Sequence, residues 1–107
     1  MKKVLNDIPT VLNIRGIQSK TIIDITSITM KNLILGSEES IPPHEVPVDV
    51  TFYILDGSGR ITISDNIYDV QKDDIIICPP NTTMSIIANQ EGLSFLNIKT
   101  PGIKVTK

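Results

Sequence analysis

The sequence predicts an all-β fold in a single domain, and three observations support this. Strand-forming Ile, Val and Thr are abundant, and these residues suit a pleated, half-buried surface. Short apolar runs alternate with turns containing Gly, Pro, Asn or Asp at near-regular spacing, a pattern typical of a β-sandwich or barrel. No helical period extends beyond one turn. A chain of 107 residues is long enough to bury one hydrophobic core.

Charge and cysteine content exclude several classes of protein. A net charge of -2 and an isoelectric point near 5.2 provide no basic field, so neither a nucleic-acid nor a membrane partner is expected. The single cysteine, Cys78, cannot form an internal disulfide. The N-terminus lacks the apolar run of a secretory signal, and we expect a cytoplasmic protein. Cys78 follows an apolar run, where a buried small side chain is favoured over a reactive thiol.

The N-terminal part of the chain differs from the rest. Residues 1–20 show no clean period and are predicted to form an arm or edge strand that packs across the barrel. Residues 21–107 are predicted to form the barrel. Strands begin at Thr21 and lead to a turn at residues 36–40.

The central predicted strand covers residues 46–55 and ends in a turn at residues 56–59. Alternation places its side chains on two faces. The inner face has Val46, Val48, Val50, Phe52 and Ile54, with His44 in the same parity, and the outer face has Asp49, Thr51, Tyr53 and Leu55. The unbroken apolar row is expected to point into the barrel, because Asp49 is costly to bury without a partner.

Further strands are predicted downstream at residues 60–64, 67–70, 75–78, 83–88 and 93–100. Turns are predicted between them, including one at residues 79–81 and one at residues 89–92. Asn81 is suited to the first of these turns because asparagine tolerates a positive φ better than other non-glycine residues.

Two segments resemble the paired motifs of the cupin family. The first, IPPHEVPVDVTFYILDG, aligns with G-x5-H-x-H-x3,4-E-x6-G, and the second, DDIIICPPNTTMSIIAN, aligns with G-x5-P-x-G-x2-H-x3-N. The resemblance covers roughly residues 26–100 and implies a cupin-like jelly-roll β-barrel. The first metal-binding histidine aligns with His44, whereas the other three ligands align with Val46, Val50 and Met84. Because three of four ligand positions are apolar, neither a metal nor another cofactor is expected.

The inner row also defines a candidate ligand site. It consists of Asn32, His44, Val46, Val50, Phe52, Met84 and Ile86. The row either packs shut as core or lines an apolar pocket in which His44 and Asn32 orient a small molecule. Composition alone does not separate these alternatives.

Three functions remain open. The first is a metal-independent cupin-like protein that binds a small, largely apolar or mixed molecule or acts through self-assembly. The second is a small metal-free isomerase or epimerase-like enzyme with His44 as acid or base, as the resemblance to metal-free sugar epimerases implies. The third is a metal-dependent oxygenase or isomerase with ligands elsewhere.

A homodimer is expected because the apolar N-terminal segment and outward-facing Tyr53 and Leu55 expose more apolar surface than a small barrel usually leaves wet.

Overall fold

The computed structural model describes residues 1–102. These residues form one short 3-10 helix, Leu5–Asp7, and eight strands in antiparallel pairs. The strands are β1 (Val11–Leu12), β2 (Gln18–Ile25), β3 (Ile28–Leu35), β4 (Ser40–His44), β5 (Asp49–Ile63), β6 (Asn66–Gln71), β7 (Ile75–Cys78) and β8 (Met84–Thr100). Within residues 1–102, no helix has the length and apolar character needed to span a membrane.

The strands form two sheets that share β5 and β8. The long sheet has the order β1-β2-β3-β8-β5-β7 and uses residues 93–100 of β8 and 49–57 of β5. The short sheet has the order β4-β8-β5-β6 and uses residues 84–88 and 59–63 of the shared strands. The two long strands therefore connect the walls of a jelly-roll barrel, and the predicted all-β fold is confirmed.

The turns predicted at residues 56–59 and 89–92 lie inside the long strands β5 and β8, so those two turn predictions are wrong. Gly57 pairs with Leu93 and Gly59 pairs with Ala88, which leaves residues 89–92 opposite Ser58 alone. The segment is an outward bulge at the place where both strands pass from one sheet to the other. A Cβ built on Gly57 would lie 2.2 Å from the Gly92 carbonyl oxygen. The glycines therefore mark close backbone approach at this crossing and not a chain reversal.

Strand boundaries near the prolines also differ from the prediction. β5 begins at Asp49 and not at residue 46, because Pro47 cannot donate to a ladder. Residues 40–44, predicted as a turn and a polar entry, form β4 with two prolines. This is possible because, among residues 1–102, β4 pairs with β8 alone and its other edge makes no ladder bonds there. The structure also starts β2 at Gln18, within the predicted arm.

The core lies between the sheets. The predicted inward parity is confirmed in β5, since Val50, Phe52 and Ile54 are fully buried. The Phe52 and Phe95 rings, from the two long strands, pack with centroids 5.5 Å apart and a 59° tilt, within the usual range for aromatic pairs. Cys78 belongs to the same core, so the interpretation as a buried small side chain is confirmed. Burial raises the pKa of its thiol.

The turn at residues 79–81 has the backbone conformation that the sequence predicts. Asn81 has a φ of 57°, and its backbone N–H donates to the Val46 carbonyl oxygen over 2.8 Å. An asparagine therefore performs the role that glycine has in the family motif. The bond also holds the segment before β5 against the turn before β8.

Candidate functional site

One end of the barrel encloses a cavity of about 140 Å³ between the two sheets. Its walls come from the β1–β2 turn and from strands β3, β4, β5 and β8. The lining residues are Asn13, Arg15, Lys31, Leu33, Ile41, His44, Phe52, Met84, Ile86, Asn97 and Lys99. We refer to this space as the barrel cavity. A volume of this size accommodates a molecule of about six non-hydrogen atoms.

The closed end of the barrel cavity is apolar. Phe52, Met84, Ile86 and Ile41 line it and are buried, with Phe52 at 0% exposure. Met84 lies on β8 directly opposite His44 on β4, so the two motif segments meet at the cavity wall. An apolar closed end favours a ligand that carries some hydrocarbon surface.

The mouth of the barrel cavity is cationic. Lys31 and Lys99 are half-buried and Arg15 is exposed, and all three line the same space. The Lys99 Nζ donates a hydrogen bond of 2.8 Å to Asn97 Oδ1. Burial, and then the nearby charge of Lys31, hold the pKa of the Lys99 ammonium below its ordinary value. No carboxylate lies among the described residues that line the cavity, so these cations have no anionic neighbour in its wall.

A local turn holds Arg15 at this mouth. The Asn13 side-chain oxygen accepts hydrogen bonds from the backbone N–H groups of Arg15 (2.9 Å) and Ile17 (3.0 Å). Gly16 completes the turn with a φ of 77°, a conformation that glycine adopts without steric cost. The sequence Asn-Ile-Arg-Gly therefore encodes a tight turn with its arginine beside the cavity.

Hydrogen bonding assigns the tautomer of His44. Its Nδ1 lies 3.0 Å from the Pro42 carbonyl oxygen, and a carbonyl can only accept, so Nδ1 carries the hydrogen. In the neutral ring Nε2 is then a free acceptor. Within residues 1–102, no carboxylate bonds to this imidazole, and Asp49 is exposed on the outer face of β5.

The predicted site residues separate into two groups. The structure brings His44, Phe52, Met84 and Ile86 together around the cavity. Val50 is fully buried in the core and Val46 is partly buried against it, and neither lines the cavity.

Asn32 lies on the other side of the long sheet. Its neighbours Lys31 and Leu33 line the cavity, so alternation directs Asn32 to the outer face. There its Nδ2 donates to the Phe95 carbonyl oxygen and to Ser94 Oγ, each at 3.0 Å. This buried amide fixes the pairing of β3 with β8 and has no contact with the barrel cavity.

Sequence reasoning missed the three cations, although a signal for two of them exists. Lys31 has the same parity as buried Leu35, and Lys99 has the same parity as buried Phe95. Extending the inward face along each strand would have found both lysines. Arg15 had no such signal because its place depends on how the β1–β2 hairpin packs over the barrel end.

The donors around the barrel cavity do not fit a metal centre. His44 provides one imidazole, Met84 provides a soft thioether, and the Asn97 oxygen already accepts from Lys99. Within residues 1–102, no group of three or more His, Cys, Asp or Glu side chains is arranged to hold a metal. Hard divalent metals prefer several oxygen or imidazole ligands, and three cationic side chains further oppose a bound cation.

Comparison with models of protein families shows to which family the chain belongs. Residues 33–98 match the family model described as a cupin domain. The chain belongs to the cupin family. The match includes β4 to β7, most of β8 and only the end of β3 from Leu33 onward. Most of the residues that line the barrel cavity lie within it, but Asn13 and the three cations Arg15, Lys31 and Lys99 lie outside it.

Solved structures extend this relationship at the level of the fold. KdgF from Halomonas sp. is 14% identical, with 94% of this chain and 93% of that chain covered and a TM-score of 0.87. An RmlC-like cupin from Shewanella frigidimarina is 11% identical, with 95% and 91% covered and a TM-score of 0.85. Bacillus subtilis oxalate decarboxylase, which has Mn(II) centres, is 24% identical with a TM-score of 0.79, and 92% of this cupin but only 29% of that enzyme is covered. No curated protein matches the chain.

Proposed function

We propose that this cupin binds a small organic anion in the barrel cavity without a bound metal. The observation that carries the proposal is the clustering of Arg15, Lys31 and Lys99 around a cavity of about 140 Å³ whose described lining has no carboxylate. A carboxylate ligand supplies the negative partner that these cationic side chains lack, and it binds them through charge-assisted hydrogen bonds. The apolar closed end receives the rest of the ligand.

The size of the cavity and its polarity limit the ligand class. About six non-hydrogen atoms fit, which favours short-chain carboxylates such as propionate, lactate, pyruvate or oxalate over sugars and nucleotides. Oxalate decarboxylase, a relative in fold, acts on a carboxylate of this size and has Mn(II) centres. In the present cupin, lysines and an arginine provide the positive charge.

Calorimetric titration of these four anions in the presence of EDTA tests the proposal. At least one anion binds the wild-type protein, and neutral glycerol, which is of similar size, does not. Lys31→Gln weakens binding about tenfold or more, because one charge-assisted bond is lost. Lys72→Gln is the matched control, since Lys72 is exposed and does not line the cavity. Absence of binding by all four anions, binding only after metal is added, or equal weakening by both variants would contradict the proposal.

The second candidate is a metal-free isomerase or epimerase-like activity of His44. The observation that favours it is the free Nε2 of an imidazole that lines the cavity. A base there could remove a proton from a carbon of the bound anion. Exchange of ligand hydrogens in D₂O, followed by proton NMR, tests this, and its persistence at the wild-type rate in His44→Gln would contradict a role for the imidazole.

A further inference from the structure

The two lysines of the barrel cavity differ from surface lysines in their surroundings. Lys31 and Lys99 lie diagonally across neighbouring strands, because Lys99 pairs with Thr29, two residues from Lys31, and Asn97 pairs with Lys31 itself. Both ammonium groups are therefore close within one half-buried space, with no carboxylate in its described lining. Such an arrangement favours the neutral form of one amine.

Lys99 is the amine that this environment affects. Burial first and the charge of Lys31 second lower the pKa of its ammonium group. Its Nζ is held by Asn97 Oδ1 at 2.8 Å, an acceptor that bonds a neutral amine as well as an ammonium. A lysine that is desolvated and placed next to another cation is an activated nucleophile toward carbonyl carbon.

We propose that Lys99 forms an imine with a small 2-oxo acid bound in the barrel cavity. This inference rests on the proposed anion binding, which it deepens by naming the substrate class. The carboxylate of the oxo acid pairs with Lys31 and Arg15 at the mouth, and its carbonyl carbon faces Lys99. A three-carbon oxo acid has six non-hydrogen atoms and fits the volume of the cavity.

The step balances without an oxidant or reductant. The lone pair of the neutral Lys99 amine forms the C–N bond while the carbonyl π pair moves to oxygen, which takes the first of the two amine hydrogens as a proton. The C–O bond then breaks, and the oxygen leaves as water with both amine hydrogens, so that amine and ketone become imine and water. His44 lines the same cavity, and its Nδ1 is held by the Pro42 carbonyl oxygen, so its Nε2 is the ring nitrogen available to move protons between nitrogen and oxygen.

Reductive trapping tests the inference. The full-length protein is incubated at neutral pH with pyruvate and cyanoborohydride, and the intact mass is measured. We expect one N-carboxyethyl group per chain, mapped to Lys99 by peptide sequencing. Each unit by which a lysine pKa is lowered raises the reactive neutral fraction about tenfold at neutral pH, so Lys99 is modified before the exposed lysines.

Matched variants separate charge from nucleophilicity. Lys99→Arg keeps a cation in the cavity but lacks a nucleophilic amine, and it abolishes the adduct. Lys31→Arg keeps the charge beside Lys99, and the adduct persists. Excess lactate, which has no carbonyl, slows adduct formation by occupying the same site.

Each outcome decides between the two proposals. Lactate binding without a pyruvate adduct overturns the imine and leaves the anion site intact. An adduct spread over surface lysines, or one that Lys99→Arg does not reduce, also overturns the imine. If neither lactate nor pyruvate binds, the proposed anion site fails, and the imine inference fails with it. Because the adduct is mapped directly in the wild-type protein, the result does not depend on the folding of any variant.

Discussion

At the scale of single residues, the barrel cavity shows how a protein places charge where folding alone opposes it. Lys99 occupies an inward position of β8 that an apolar side chain would fill at lower cost. Its neighbours in the same parity, Phe95 and Leu93, are buried in the core. A half-buried ammonium beside a second cation is therefore a cost in stability that ligand binding can offset.

The shifted pKa of Lys99 predicts how stability depends on pH. The pKa is lower in the folded protein than its ordinary value of 10.5, so between these two values the unfolded chain binds more protons. Stability contributed by Lys99 is therefore low at neutral pH and rises as pH approaches 10.5. Lys99→Met should stabilise the protein more at pH 7 than at pH 10, measured as the free energy of unfolding in urea.

A second variant provides the control for this prediction. Lys31 is one of the two causes of the lowered pKa of Lys99. In a Lys31→Met background the effect of Lys99→Met should consequently depend less on pH. An effect of Lys99→Met that is the same at pH 7 and pH 10 in the wild-type background would show that Lys99 is solvated in the folded protein.

At the scale of elements, the two long strands determine the shape of the barrel. β5 and β8 each contribute to both sheets, and they change sheet at a glycine-rich crossing. Gly57 and Gly92 have φ values of 79° and 83°. At this crossing, backbone approaches backbone so closely that a side chain has no space.

Comparison of two glycines tests the crossing. Gly57→Ala adds a Cβ 2.2 Å from the Gly92 carbonyl oxygen, whereas Gly16→Ala adds one with nothing within 4 Å. Both glycines have nearly the same positive φ, 79° and 77°, so the strain of a left-handed alanine is shared, at about 1–2 kcal/mol. We expect Gly57→Ala to cost about 1–3 kcal/mol more than Gly16→Ala in urea unfolding. Equal losses would mean that the strands separate at the crossing without cost.

At the scale of the whole molecule, the outer side of the long sheet carries a largely apolar patch on β7, β5 and β8. Ile75 and Ile77 on β7 are 60% and 67% exposed. In register with them lie Tyr53 and Thr51 on β5, and then Leu96 and Ile98 on β8. These six residues, which we call the apolar patch, form two cross-strand rows, and an exposed edge strand bounds them.

We expect this apolar patch to join two copies of the chain in a homodimer. Apolar surface beside an open strand edge is typical of association between copies. Sedimentation velocity at micromolar concentration should show a dimer, and Ile77→Lys should dissociate it. Ile67→Lys is the matched control, because Ile67 is 63% exposed on β6, at the edge of the short sheet. A monomer in the wild-type protein, or equal dissociation by both variants, would exclude this interface.

The sequence by itself determined the fold class and much of the core. Alternation in β5 identified Val50, Phe52 and Ile54 as inward, because a strand with one dry face must repeat every second residue. The two motif segments gave the family, and the left-handed conformation of Asn81 followed from its residue type. Sequence rules that use only neighbouring residues were sufficient for these features, because strand alternation and the φ of Asn81 depend on the local chain.

Only the tertiary structure decided which residues surround the cavity. The glycines at residues 57 and 92 resemble turn signals in sequence, but contact between distant strands makes them a crossing. Lys31, Lys99 and Arg15 come from β3, β8 and the β1–β2 turn, and their shared position depends on pairing between segments far apart in the chain. The net charge around a cavity depends on all the segments that form its walls, so no single segment of the sequence reveals it.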